Sequence, residues 1–272
     1  MRLVMYAISS TVLTLVVATP AFADAPGATP AMADTPSATP AFALMDNTGD
    51  GSKLEAEASA VKVDGTEGSF LVTRLLGQYI STTGFGGYGT VSMAGLIGGH
   101  EFDSGTDISN FEAGALYRYA SPSFDVGLRV GVVLPTGDST SARFGLALAR
   151  PADVVQTVPR DRWLRLGISP TMHQGPFFMR VDVGLDAPLD GPSGDPTLLH
   201  VNVGVGAGTR RWTATAEFQK VFTTDSADGI DAAGLSVRYH GRVSPFLGIS
   251  TAFGDEPLPG VVTMSLGVTM PL

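Results

Sequence analysis

The residues in this 272-residue chain that are able to do chemistry stand two apart on alternating segments. Arg180 and Asp182 lead on to Asp186, His200 precedes Asn202, and Arg238 precedes His240. Arg74, Glu112, Arg118, Asp125, Arg129, Arg143, Arg165 and Glu217 each occupy the polar side of a similar segment. Two chemistries are open to such a set. One is a constriction whose charges select and orient a solute. The other is a network of paired charges that fills and rigidifies an interior, and the mixing of signs favours it. Nucleophilic catalysis is not expected: His200 and Asn202 have no serine beside them, and the four histidines show no metal-ligand spacing. The glycines of VNVGVGAGTRR lie on one strand face with no helix after them, so they do not form a dinucleotide loop.

A second constellation lies nearer the N-terminus. In DNTGDGSKLEAE, Asp46, Thr48, Asp50 and Glu57 take the first, third, fifth and twelfth places of a calcium loop, with Gly51 at the turn. Thr48 is a weak ligand and Lys53 replaces the apolar residue that locks such loops, so an acidic solvated turn before a short helix, Leu54 to Val61, is the reading preferred. No other cofactor is expected.

The elements carrying the charged residues have a period of two. In FDVGLRVGVVL, residues Phe124, Val126, Leu128, Val130, Val132 and Leu134 alternate with Asp125, Gly127, Arg129 and Gly131, Val133 being the lapse. Similar segments follow one another from Ser69 to the C-terminus, about twelve in all, SARFGLALA at 141–149 being the fifth. A soluble barrel of this size would enclose more aliphatic surface than its side chains fill. A sandwich would carry lysine and glutamate outside, yet the polar faces here are glycine with scattered Arg, Asp, Glu and His. The aliphatic faces are therefore expected to meet lipid and the charged faces a wet lumen. The fold class is all-β, a closed antiparallel transmembrane β-barrel of about 12 strands with a disordered N-terminal tail.

The rest of the chain fits. Residues 1–23 read as a signal peptide, with Arg2, an apolar run, and Ala21-Phe22-Ala23 for cleavage. Residues 24–65 read as a disordered Ala/Pro-rich acidic periplasmic linker, and 66–272 as the outer-membrane barrel. No cysteine is present, and a net charge of −9 excludes nucleic acid as a partner. With the termini periplasmic, FDSGTD, LPTGDSTSA and SPTMHQGP fall on the periplasmic side and SPS at 121–123 outside. Tyr117, Tyr119, Trp163, Phe177, Trp212, Tyr239 and Phe253 are expected in interfacial girdles.

GLRVGVVLPTGD resembles the strand-and-turn signature of the meta-pathway phenol-degradation-like transporters, the turn being Pro135 to Asp138. The resemblance implies a barrel of about a dozen strands that passes small organic compounds, hydrophobic ones included. The chain ends Met270-Pro271-Leu272 rather than in the aromatic that barrel assembly machinery reads. The expected function is an outer-membrane channel or passive transporter for small solutes, with lipid, solute and the assembly machinery as partners. The alternative is a plugged, non-conducting structural or surface-exposed barrel.

Overall fold

The computed structural model describes residues 44, 51–65, 68–97, 106–137, 142–158, 161–189, 196–225, 229–254 and 260–272. Its strands are β1 (Lys53–Val63), β2 (Ser69–Ile80), β3 (Phe85–Ile97), β4 (Thr106–Ile108), β5 (Phe111–Ala120), β6 (Phe124–Leu134), β7 (Trp163–Gln174), β8 (Phe177–Pro188), β9 (Leu198–Gly208), β10 (Trp212–Thr223), β11 (Gly229–Tyr239), β12 (Ser244–Gly254) and β13 (Val261–Pro271). Each pairs antiparallel with its neighbours, and β1 pairs with both β2 and β13, so the sheet closes. β4 and β5 lie along one edge of β3, against Met93–Gly95 and Phe85–Thr90, and act as one interrupted stave. The barrel thus has twelve staves.

The interruption is a bulge. Ser109 and Asn110 are consecutive and both turn inward to full burial, while Ile108 and Phe111 on either side face out. The Ser109 N–H donates to Ser92 O at 2.7 Å, and its hydroxyl accepts from the Ser92 N–H at 2.8 Å, so the wall stays hydrogen-bonded across the gap.

The side chains are arranged inside out. Val130 and Val205 are 44% and 49% exposed on the outer wall, whereas Arg165 and Arg180 are 1% and 2% exposed inside. Leu128, Val183, Val203, Met264 and Leu266 share the outer face. Val133 is fully buried in the lumen, where it packs on Trp163 and Val155. Trp163 is therefore not a girdle residue. Outward aromatics stand where the strands meet the short turns, Tyr79, Phe85, Tyr119, Phe124, Phe177 and Trp212, and Phe111 and Phe253 are outward near the opposite end. Phe85 packs on Tyr117 with ring centroids 4.8 Å apart, and Trp212 on Tyr239 at 5.0 Å.

The sequence reading errs on two elements of opposite kind. Lys53–Val63, read as linker and helix, is strand β1, so the barrel begins inside the stretch assigned to the tail. Its inward residues are Lys53, Glu55, Glu57, Ser59, Val61 and Val63, while Ala56, Ala58 and Ala60 occupy the lipid side. Alanine and glutamate favour helix and give the outer face little hydropathy, which hides the period of two. Closure overrides that preference, because without β1 the strands β2 and β13 would be open edges in hydrocarbon. Conversely 141–149, read as a strand, forms helix α1 (Ala142–Ala149), followed by a 3-10 turn (Pro151–Gln156). It has no β-branched residue, and its Ala, Leu and Arg are good helix formers.

Exchanging one element for another keeps the strand number and moves the loops. Connections of a few residues, 81–84, 121–123, 175–176, 209–211 and 240–243, share one end. The connections 64–68, 98–105, 135–162, 189–197, 224–228 and 255–260 share the other. SPS is thus a short turn, FDSGTD and LPTGDSTSA belong to the long-loop end, and most of SPTMHQGP is strand.

Candidate functional site: the lumen

The long connection 135–162 folds back into the barrel. Leu146, Leu148 and Ala149 of α1 bury themselves against the inward Val61, Val63, Phe70, Val72, Ala94, Ala252 and Val261. That collar is apolar because the strand ends here present valine and phenylalanine on the face that elsewhere carries charge. Leu44 joins the same cluster at 1% exposure, and its N–H donates to Glu217 Oε2 at 2.9 Å. Val155 of the 3-10 turn packs on Val133 and Trp163. Both inserted pieces present apolar side chains to this end of the lumen.

Hydrogen bonds fix the inserted segment to one side of the wall. Arg150 Nη1 reaches Glu57 Oε2 of β1 at 3.2 Å, and its Nε reaches Asp153 at 3.1 Å. Arg165 of β7 donates through Nη1 to Asp153 Oδ1 at 2.9 Å and to Glu112 Oε2 at 2.8 Å. Its Nη2 donates to Ala152 O at 2.6 Å and its Nε to Asp186 Oδ1 at 2.9 Å. Gln156 Nε2 donates to Glu112 Oε2 at 2.7 Å, and Tyr88 Oη donates to Glu112 Oε1 at 2.6 Å. The bulge supplies a further hold: Asn110 Nδ2 donates to Val158 O at 2.6 Å, and the Asn110 N–H to Gln156 O at 2.8 Å. Around Arg165 three carboxylates and a carbonyl converge on one guanidinium, whose planar fork suits several acceptors at once. Burial opposes ionisation of Asp153, but Arg165, Arg150 and Arg74 outweigh it and hold its carboxyl well below the ordinary range.

Nearer the short-turn end, Glu55 is surrounded by Lys53 at 3.8 Å, Arg74 at 3.6 Å and Arg238 at 3.3 Å. Thr269 Oγ1 also donates to it, at 2.9 Å. Arg238 lies over the Phe246 ring, 5.2 Å from its centroid. Arg180 Nε bonds Asp182 Oδ1 at 2.8 Å. Arg118 and Asp125 pair at 3.1 Å, with His173 Nε2 at 3.5 Å from Asp125. Arg129 is on the lumen face of β6, against Gly167. His200 lies across Gly184 on the neighbouring strand, where a Cβ would overlap the imidazole, and its Nε2 is 3.6 Å from Asp186 Oδ2.

The structure therefore places Arg74, Glu112, Arg118, Asp125, Arg129, Arg165, Arg180, Asp182, Asp186, His200, Glu217 and Arg238 on the lumen side. Glu112, Arg165 and Asp186 are brought together, as are Arg74 and Arg238 through Glu55. One expectation needs correction: Arg143 is in helix α1, not on a strand face. His240 follows the last residue of β11 and contacts the inward Thr213 at the short-turn end of the lumen. Of the calcium set, Glu57 is on β1 beside Arg150, and Asp46, Thr48 and Asp50 lie outside the described residues.

Sequence reasoning missed Lys53 and Glu55, although Lys53, Glu55, Glu57 and Ser59 repeat at a spacing of two. It also missed Arg150, Asp153 and Gln156, which sit in the connection between β6 and β7. Only a folded loop brings those to the wall.

No family model matches the sequence, and no curated protein matches it. Solved structures resemble its fold. The COG4313 outer membrane channel from Pseudomonas putida F1 has a TM-score of 0.57 at 11% identity, over 86% of this chain and 98% of that one. The NanC porin has 0.53 at 9%, over 80% and 100%. The KdgM porin in complex with disordered oligogalacturonate has 0.52 at 12%, over 80% and 99%. The shared feature is the closed antiparallel β-barrel fold.

Proposed function

We propose that this protein is an outer-membrane channel or passive transporter for small solutes, with its short turns in the periplasm and its long loops outside. The observation that carries this reading is the lumen: a closed barrel whose interior is lined by polar side chains while its outer wall is aliphatic. Similarity in fold to solved outer-membrane channels supports it. The ion pairs described above occupy most lumen carboxylates, and an apolar collar stands at the outer mouth, which together support uncharged organic solutes over ions. Membrane insertion is expected to run through barrel assembly machinery. Planar-bilayer conductance and liposome swelling by the purified chain test the reading, and the absence of both sinks it.

The second reading, a plugged barrel without conduction, is favoured by one observation: α1 and the 3-10 turn lie inside the lumen. Replacing 142–156 by a short Gly-Ser linker separates the two. A channel gains conductance from an already measurable level, whereas a structural plug turns a silent barrel into a conducting one.

A further inference from the structure

The bonds that hold the inserted segment, as traced above, run to β1, to β5 with its bulge, and to β7. The 3-10 turn also packs against β10. Along β8–β10 neutral polar side chains stand beside the Arg180–Asp182 pair and Glu217. Asp182, Asn202 and Gln219 are direct cross-strand neighbours on β8, β9 and β10. All three point inward, Asn202 and Gln219 at 1% and 0% exposure. Among the described residues, both carboxamides lack a hydrogen-bond partner on oxygen and on nitrogen. Asp182 Oδ2 and His200 Nδ1 also lack one. Five side-chain atoms of two amides and a carboxylate are thus buried without partners in one row of cross-strand neighbours. Groups left this way cost about 1–3 kcal/mol each, and native proteins keep few of them without a use.

We infer that the Asp182–Asn202–Gln219 row, with His200 beside Asn202, is a solute subsite for a neutral, polyhydroxylated small molecule. The inference rests on the channel reading above and names the solute class. Its chemistry follows from the donor set. Carboxamides both donate and accept, as the hydroxyls of a polyol do. Asp182 is already neutralised by Arg180 at 2.8 Å, and the neighbouring Glu217 accepts from the Leu44 N–H, so the row offers an anion no unpaired cation. Several adjacent groups need several hydrogen bonds, which suits a solute with many hydroxyls better than one with a single polar atom.

The chain has no cysteine, which makes the site directly testable. Asn202→Cys and Gln219→Cys are each reconstituted in vesicles after their heat-modifiable gel mobility has shown that they fold. They are treated with methyl methanethiosulfonate with and without xylitol or gluconate, and adducts are read by mass spectrometry. Both cysteines should react, and xylitol at about four times its dissociation constant should slow them about fivefold, gluconate not at all. Failure of both to react, or equal slowing by the two solutes, overturns the subsite. Swelling and conductance of the unsubstituted chain are measured in the same vesicles. Protection without conduction keeps the subsite and removes the channel reading, and conduction without protection does the reverse.

Discussion

At the residue scale the most consequential side chain is Arg165. It holds Asp186, Glu112, Asp153 and the Ala152 carbonyl at once. Arg165→Met leaves three buried carboxylates short of their counter-ion, and breaking a buried pair in this way costs about 3–5 kcal/mol. The variant is expected to lose its heat-resistant gel mobility at a lower temperature and to conduct more, since the inserted segment loses two anchors. Arg150→Ala removes the tie to Glu57 and the brace to Asp153, and should raise open time in single-channel records with a smaller change in stability. Asp153 has a sign that is open to test. Its folded carboxyl titrates below the unfolded value near 3.9, so its contribution is complete above that value and is lost as pH falls through the lower folded one. Lowering pH from 8 to 5 should therefore leave this latch closed, and Asp153→Asn should open it across that whole range. Glu57 pairs with Arg150 inside the barrel, and millimolar calcium is expected to leave the thermal unfolding of the full chain unchanged.

At the element scale, legibility followed the contrast between the two faces. β6, β8, β9 and β13 set valine, leucine and methionine against glycine and charge, and their face assignment reads directly from the sequence. β1 sets alanine against lysine, glutamate and serine, a contrast that an amphipathic helix or an acidic linker also shows. Only the demand that β2 and β13 find partners identifies it, and that demand is a property of the closed sheet. The same holds for α1, whose alternation of Arg143, Gly145 and Ala147 with Phe144, Leu146 and Leu148 mimics a strand. The lumen charges were legible as a set but their pairing was not, because register between distant strands brings Glu55 to Arg238 across 183 positions. A deletion pair checks the revised boundary. Removing 24–43 should leave a heat-modifiable barrel, while removing 24–65 takes β1 with it and should leave none.

At the scale of the whole molecule the governing fact is the reversal of inside and outside. It predicts that Leu266→Arg, at the middle of β13 on the lipid face, costs about 2–4 kcal/mol. Leu266→Met at the same position should be close to neutral. Urea midpoints of the chain folded into vesicles would measure both, and equal tolerance of the two would place that face in water. Outer-membrane fractionation with heat-dependent mobility is the coarser form of the same measurement.

The bond between the first strand and the last has a temporal consequence. β13 (Val261–Pro271) is the partner of β1 (Lys53–Val63), so the ring joins two segments that lie far apart in sequence. Hairpins between neighbours need only local contacts, whereas this seam bears the largest loop-closure cost in the sheet and is expected to form late. Until it forms two unpaired borders persist, and during passage through the envelope they call for an escort that shields them. Losing β13 alone would spare most contacts of the interior and still forfeit the ring.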